Sequence, residues 1–224
     1  MSHSPLSKDP QDIAAYLKWW KERNSRPGFF GDATVEGLTV TVRKGVFSPD
    51  PKVTYSSAAL IHALPELRGK TVLDLGTGCG VLAIHAARKG ARKITAVDIQ
   101  PEAVANAKEN IESYDCSDCV EIFESDVFSN VHGKFDIIIA NLPFMVTGYV
   151  LNHVATETYR RFFEGVRAHL EVSGKAYVTF ACWADKTTLE AMIASTELKW
   201  HMNSEDYDGK EWYVYELWQQ ELNA

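Results

Sequence analysis

The segment Val72-Leu73-Asp74-Leu75-Gly76-Thr77-Gly78-Cys79-Gly80 constrains the fold of this 224-residue chain more than any other stretch. An apolar run passes directly into a turn with glycine at every second position, and a helical segment, Val81 to Lys89, follows and is closed by Gly90. A strand that enters a helix through such a turn belongs to a parallel sheet, whose strands are joined by helical crossovers. The glycines permit the tight turn and let a ligand touch the backbone, while the first turn of the helix offers unpaired N–H groups to a carboxylate. The sequence therefore places a nucleotide-like ligand here.

The rest of the chain keeps the same rhythm. A helix over Tyr55–Leu64 precedes the strand Thr71–Leu75, and strand Lys93–Val97 leads to a helix that Pro101 opens and that runs to about Ser113. Strands Val120–Glu124 and Phe135–Ala140, a helix from about Ala155 to Leu170, strand Lys175–Ala181 and helix Lys186–Ala194 continue the alternation. The end differs: Leu198–Met202 and Glu211–Trp218, joined by the polar Asn203–Lys210, read as an antiparallel hairpin. Before all this, a helix capped by Asp9 and Pro10 runs to about Arg23, Asn24–Gly31 breaks it, and Leu38, Val40 and Val42 alternate with threonines as a half-buried strand does. The expected architecture is α/β, a doubly wound, seven-stranded, mostly parallel Rossmann-like sheet. Residues 1–54 form an N-terminal extension packing on a single globular unit at 55–224.

Composition removes several classes. No apolar run approaches the roughly 18 residues of a membrane helix, and the first ten residues lack the apolar centre of a signal peptide, so residence in the cytoplasm is expected. Cys79, Cys116, Cys119 and Cys182 are too scattered for a disulfide framework, and the one C-x-x-C pair lacks the second pair that a zinc site needs. No metal is expected. A net charge of -7 argues against a broad grip on nucleic acid, which relies on counterion release.

Asp98 closes the next strand eighteen residues after Gly80, where a carboxylate can accept hydrogen bonds from both hydroxyls of a ribose. Two cofactors compete for such a site. A dinucleotide turn wants glycine or alanine where this chain has Val81, which disfavours NAD and an NAD-dependent oxidoreductase. The Asp74–Gly80 segment and the Asp98 strand end resemble motifs of class I S-adenosylmethionine-dependent methyltransferases. The resemblance implies that Asp74, Gly76, Thr77, Gly78 and Gly80 hold the methionine end of the cofactor and Asp98 its ribose. Ile99 would pack on the adenine, and Asp126 and Val127 would receive its amino group and ring.

Asn141-Leu142-Pro143-Phe144, directly after the strand ending at Ala140, resembles the (Asn/Asp)-Pro-Pro-(Tyr/Phe) signature of enzymes that methylate planar nitrogen. An amide or aryl amine is a poor nucleophile because its lone pair is delocalised, so a site must hold its N–H groups with acceptors. The Asn141 side-chain oxygen and the Leu142 carbonyl can be those acceptors, Phe144 can stack on the planar group, and Pro143 stiffens the loop. Leu142 stands where the commonest pattern has its first proline. That leaves backbone acceptance intact, and the variant is similar to that of ribosomal RNA adenine dimethylases. Gly45-Val46-Phe47-Ser48-Pro49 through Thr54 is similar to the segment preceding the glycine motif in small-domain methyltransferases of the HemK and ribosomal RNA guanine types. It makes Phe47 and Thr54 further cofactor-site candidates.

Other features are read as structural. Arg88, Lys89, Arg92 and Lys93 flank a helix C-terminus, where cations are favoured anyway. Trp19, Trp20, Lys21, Arg23 and Arg26 are read as packing rather than RNA contact. The expectation is methyl transfer from S-adenosylmethionine to a macromolecular acceptor, a protein glutamine or an RNA base, with no membrane or DNA partner. A noncatalytic subunit that merely holds the cofactor is the rival from another class. The choice between protein and RNA, and the oligomeric state, stay open at this level.

Overall fold

A computed structural model describes residues 31–144, 152–207 and 209–220. The expected helix from Asp9 to Arg23, with its tryptophans and basic residues, lies outside them. Strands β3 (Thr71–Leu75), β4 (Lys93–Asp98), β5 (Val120–Glu124), β6 (Phe135–Ala140), β7 (Leu170–Ala181), β8 (Lys199–Tyr207) and β9 (Lys210–Trp218) form one seven-stranded sheet in the order β5-β4-β3-β6-β7-β9-β8. The first five are parallel, and β9 runs antiparallel to both of its neighbours.

Burial explains this order. Val72–Leu75, Ile94–Val97 and Ile137–Ala140 are covered on both faces, as central parallel strands must be, and they are correspondingly almost all aliphatic. Strand β8 at the edge is mostly exposed and mostly polar. Helices α1 (Ser56–Ala63), α2 (Val81–Arg88), α3 (Pro101–Ser113), α4 (Asn152–His169) and α5 (Lys186–Ala194) complete the unit, with Pro101 opening α3 and Asp185 capping α5 by accepting the Thr188 N–H at 3.1 Å. From β3 the chain winds outward through β4 to β5, then returns to β6 on the other side of β3. The carboxyl ends of β3 and β6 thus flank a topological switch point, the crevice where ligands of such sheets bind.

Several expected boundaries move. Gly31 does not end a break: it begins β1 (Gly31–Val35), which pairs antiparallel with β2 (Leu38–Val42) through a turn at Glu36 and Gly37. Strand β7 begins at Leu170, which was expected to end the preceding helix. Between the Phe135–Leu170 and Ile137–Lys175 pairs the register shifts, and Gly174 lies so close that a Cβ there would stand 2.7 Å from the Phe135 carbonyl oxygen. The polar stretch expected as a loop after Met202 stays in β8 to Tyr207, paired with β9 throughout; its side chains are polar because they line an edge.

The β1–β2 hairpin falls within the stretch expected as an extension packing on the main unit, and it joins that unit through apolar contacts and hydrogen bonds. Ala33, Val35, Leu38, Val40 and Val42 belong to the same buried cluster as the sheet. The free edge of β2 is served by side chains of α3. Asn106 and Asn110, four residues apart on one face, both donate to the Thr41 carbonyl, at 2.9 and 2.8 Å, and accept the N–H groups of Arg43 (2.8 Å) and Thr41 (3.1 Å). Two amides thereby do for β2 what another strand would do. Among the described residues no helix is long and apolar enough to cross a membrane.

Candidate active site

The glycine turn after β3 is closed by backbone bonds to β4: Gly76 and Thr77 both donate to the Val97 carbonyl, at 2.8 and 2.9 Å. Gly76, Gly78 and Gly80 all have positive φ, a conformation costly for other residues. Their surroundings separate their roles. A Cβ on Gly78 would meet nothing within 4 Å, so the turn faces open space there. A Cβ on Gly80 would sit 3.1 Å from that of Ala107, so Gly80 serves the approach of α3 to the turn. On Gly76 it would touch the Leu142 side chain at 3.6 Å, which brings the loop after β6 onto the turn after β3.

Asp74 is fully buried beneath this turn. Its Oδ2 accepts the Thr77 hydroxyl at 2.7 Å, whereas its Oδ1 is sealed from solvent and has no hydrogen-bond partner. Burial pushes the carboxyl up to about 7, with the Thr77 hydroxyl and the Ala83 N–H pulling the other way and the charge of Asp98 adding to the rise. An unmet buried acceptor of this kind is built for a donor, and a cation above all.

Asp98 ends β4 as expected. Its Oδ2 accepts the Gly78 N–H at 2.9 Å and its Oδ1 the Gln100 N–H at 3.0 Å. Burial again raises its pKa. A carboxylate has about four lone-pair positions, so both oxygens keep capacity for hydroxyl donors. Ile99 beside it is 56% exposed, an unusual setting for a large aliphatic side chain and a ready surface for a flat ligand. A group with an ammonium at one end, a ribose in the middle and an aromatic base at the other fits this run of residues.

After β5 the structure adds a partner that the sequence reading lacked. Asp126 is ion-paired with Arg161 of α4, which also bonds the Asp126 carbonyl at 3.3 Å and Ser129 Oγ at 3.2 Å. Val127 is buried with φ of 53°, a strained backbone for a β-branched residue. Phe128 locks the same loop to α4 by stacking on His169 at 4.3 Å and pressing against Gly165. Of the two further candidates, Phe47 is half-buried, and Thr54 is buried with its hydroxyl 3.1 Å from Ser56 Oγ.

Asn141 leaves the end of β6 half-buried, and its side-chain nitrogen is held by two hydroxyls of α1, Ser56 Oγ at 3.1 Å and Ser57 Oγ at 3.2 Å. With the nitrogen so engaged, Oδ1 is turned to the opposite side as an acceptor. Ser56 and Ser57 are the functional residues that sequence reasoning missed; two buried serines opening an apolar helix, with no caps to make, were the available signal. Leu142 is buried, Pro143 exposed and Phe144 half-buried. The Phe144 ring meets Phe180, Trp183 and Trp212 at 6.1, 6.1 and 5.6 Å, at interplanar angles of 88°, 81° and 56°. A depression lined by Thr71, Lys93, Thr95 and Phe135 lies at the amino ends of the strands, away from all of these groups.

A family model described as "Methyltransferase small domain" matches residues 37–201. Over 113 residues the chain is 40% identical to a protein of Methanocaldococcus jannaschii provisionally named protein N5-glutamine methyltransferase, a match covering 50% of this chain and 54% of that one. Over 119 residues it is 40% identical to ribosomal RNA small subunit methyltransferase C of Escherichia coli, covering 52% and 33%. The chain thus spans about half and a third of the lengths of these relatives. Among solved structures, the Thermus thermophilus 16S rRNA N2 G1207 methyltransferase in complex with AdoMet and guanosine matches with TM-score 0.64 and 27% identity, over 85% of this chain and 50% of that one. A methyltransferase from Pyrococcus furiosus shares the fold with TM-score 0.64 at 19% identity, over 94% and 100%.

Proposed function

Because the chain belongs to the methyltransferase small domain family, we propose that it transfers a methyl group from S-adenosylmethionine to a planar nitrogen of a macromolecule in the cytoplasm, a glutamine amide or the exocyclic amine of an RNA base. The observation that carries this reading is the meeting of two loops at the switch point. The unpartnered Asp74 Oδ1 lies under one, and Asn141 opens the other with its nitrogen tied back to Ser56 and Ser57.

S-adenosylmethionine, when bound, supplies an electrophilic methyl carried on a sulfonium. The chain's own part is to bind and to orient. Asp74 takes the ammonium of the methionine end, the open face above Gly78 admits its carboxylate, Asp98 takes ribose hydroxyls, and Ile99 lies against the adenine. Val127 and Asp126 border the adenine edge, the carboxylate of Asp126 being shared with Arg161. On the acceptor side, Asn141 Oδ1 and the Leu142 carbonyl accept the N–H groups of the nitrogen, so that its lone pair points along the line of displacement. No strong base is needed, because the nitrogen becomes acidic as it gains the methyl and leaves S-adenosylhomocysteine behind, and it then loses its proton to water. An NAD-dependent reading finds no support in a turn whose sixth position is Val81.

The test is to incubate the protein with radiolabelled S-adenosylmethionine and an extract of cells lacking it, then separate RNA, protein and small molecules. Label in one macromolecular fraction, abolished by Asn141→Ala, is the expected result. Cofactor binding without any labelling, unaltered by Asn141→Ala, would instead identify a noncatalytic subunit.

A further inference from the structure

Three large aromatic side chains from three separate elements gather at the same rim as Asn141. Phe144 follows β6, Trp183 stands two residues beyond the end of β7, and Trp212 lies near the start of β9, paired with Ala181. Trp183 and Trp212 meet edge to face at 4.9 Å and 87°. None of the three rings near Phe144 lies parallel to it, so among the described residues no ring stacks on its faces. Trp212 is 3% exposed, and its indole Nε1 is a buried donor with no hydrogen-bond partner. Such a donor is a standing cost to the folded chain, relieved only when an acceptor comes to it.

We propose that the acceptor seated against Asn141 is a purine base, held in an aromatic corner formed by Phe144, Trp183 and Trp212, with the Trp212 indole N–H donating to one of the base's ring acceptors. The inference rests on the methyl-transfer reading above and narrows it. Adenine and guanine each carry an exocyclic amine, which gives two donors to Asn141 Oδ1 and the Leu142 carbonyl, together with ring acceptors able to meet an indole N–H. Its bicycle is also wide enough to cover the free face of Phe144 while turning an edge toward Trp183, since anything parallel to Phe144 is nearly perpendicular to that indole. A glutamine amide would satisfy the hydrogen bonds but cover only a fraction of one ring face. Trp183 and Trp212 are in this view specificity residues that the sequence reading did not single out.

The experiment titrates the protein, saturated with S-adenosylhomocysteine, with guanosine, adenosine and N-acetyl-glutamine N-methylamide by calorimetry, for the native chain, Trp212→Phe and Trp183→Ala. One nucleoside is expected to bind at least tenfold more tightly than the glutamine analogue, and each tryptophan change to weaken it fivefold or more. Trp212→Phe should leave the S-adenosylhomocysteine affinity within twofold and the melting temperature equal or higher, because the orphaned donor has gone; a purely structural Trp212 would lower it. Tighter binding of the glutamine analogue, no nucleoside binding at 10 mM, or nucleoside binding untouched by both changes overturns the purine assignment alone. Failure of the native chain to bind S-adenosylhomocysteine overturns the methyl-transfer reading beneath it.

Discussion

The side-chain nitrogen of Asn141 lies 3.1 Å from Oγ of Ser56, a residue 85 positions earlier on another element. The loop that is to hold the acceptor is therefore aimed by the first turn of α1, and Ser57 doubles the restraint. Changing both serines to alanine should lower kcat about tenfold, an effect of the size expected from loosened positioning. Asn141→Ala should cost about a hundredfold or more, as loss of a contact to the reacting group does. Initial rates on the labelled fraction, with cofactor affinity measured in parallel, check this; a serine pair whose loss weakens only cofactor binding would contradict it.

The buried carboxyl of Asp74, raised to about 7, makes stability depend on pH in a definite direction. Its folded pKa lies above the unfolded value near 3.8, so its contribution is fully present below about pH 4 and is lost as pH rises through 7. Asp74→Asn removes the dependence. It should therefore gain on the native chain between pH 4 and 8 by an amount on the order of 4 kcal/mol at most. Denaturant midpoints across that range measure the gain. Over pH 6 to 8 cofactor affinity should change in the opposite sense, tightening up to about tenfold as the carboxyl ionises to meet an ammonium.

Gly78 and Gly80 are two residues apart and should fail differently. Alanine at Gly80 meets Ala107 at 3.1 Å and keeps a positive φ, and it should cost about 2 kcal/mol or more of stability. At Gly78 only the backbone is strained, by about 1 kcal/mol, while the new methyl enters open space. The loss should then appear in cofactor affinity rather than in the melting temperature. Calorimetric affinities and thermal melts of the two variants separate these outcomes, and equal melts with equal affinities would refute the division of roles.

His62 bridges Glu36 and Glu205, with a different ring nitrogen 3.0 Å from each, and Tyr207 Oη stands 2.9 Å from Nδ1. The hydrogen bond to Glu36 leads the rise in its pKa, against the burial that lowers it. The bridge therefore stabilises most below pH 6.5 and is lost as pH rises through the elevated folded value. His62→Gln should flatten stability between pH 6 and 8. The effect should be small because the imidazole is 39% exposed. Paired melts at those two pH values decide it.

The sheet, the order of its elements and the glycine turn were legible because they obey local rules: aliphatic runs where both faces are covered, Pro101 at a helix start, alternating glycines where φ is positive. The two hairpins show the boundary of that legibility. Strand β1 escaped notice because GDATV is short and half polar, and the polar end of β8 resembles a loop until β9 is placed beside it. Within the candidate site, Asp74, Asp98 and Asn141 could be named from the chain, since each lies at or beside the carboxyl end of a strand. Their partners could not. Ser56 for Asn141 and Arg161 for Asp126 are set by crossovers that bring distant segments together. Gly80 shows a subtler limit: its spacing suggests a ligand contact, and says nothing of the room that its lack of a side chain makes for Ala107.

Asn110 has a reach beyond the edge it completes. Its nitrogen donates at 2.8 Å both to Thr41 of the hairpin and to the carbonyl of Cys79 inside the glycine turn. Replacing it with alanine strips three bonds, one buried and two partly buried, and should cost about 2 kcal/mol, measurable as a lower denaturant midpoint.

The same amide makes the β1–β2 hairpin inseparable from cofactor capture. A shortened version beginning at Tyr55 would leave Asn106 and Asn110 facing water where Thr41 and Arg43 had been, and the mould beneath Gly78 would lose one of its braces. Whoever grafts a foreign recognition module onto this front end inherits that constraint, because the join must fall ahead of Gly31, not behind Val42.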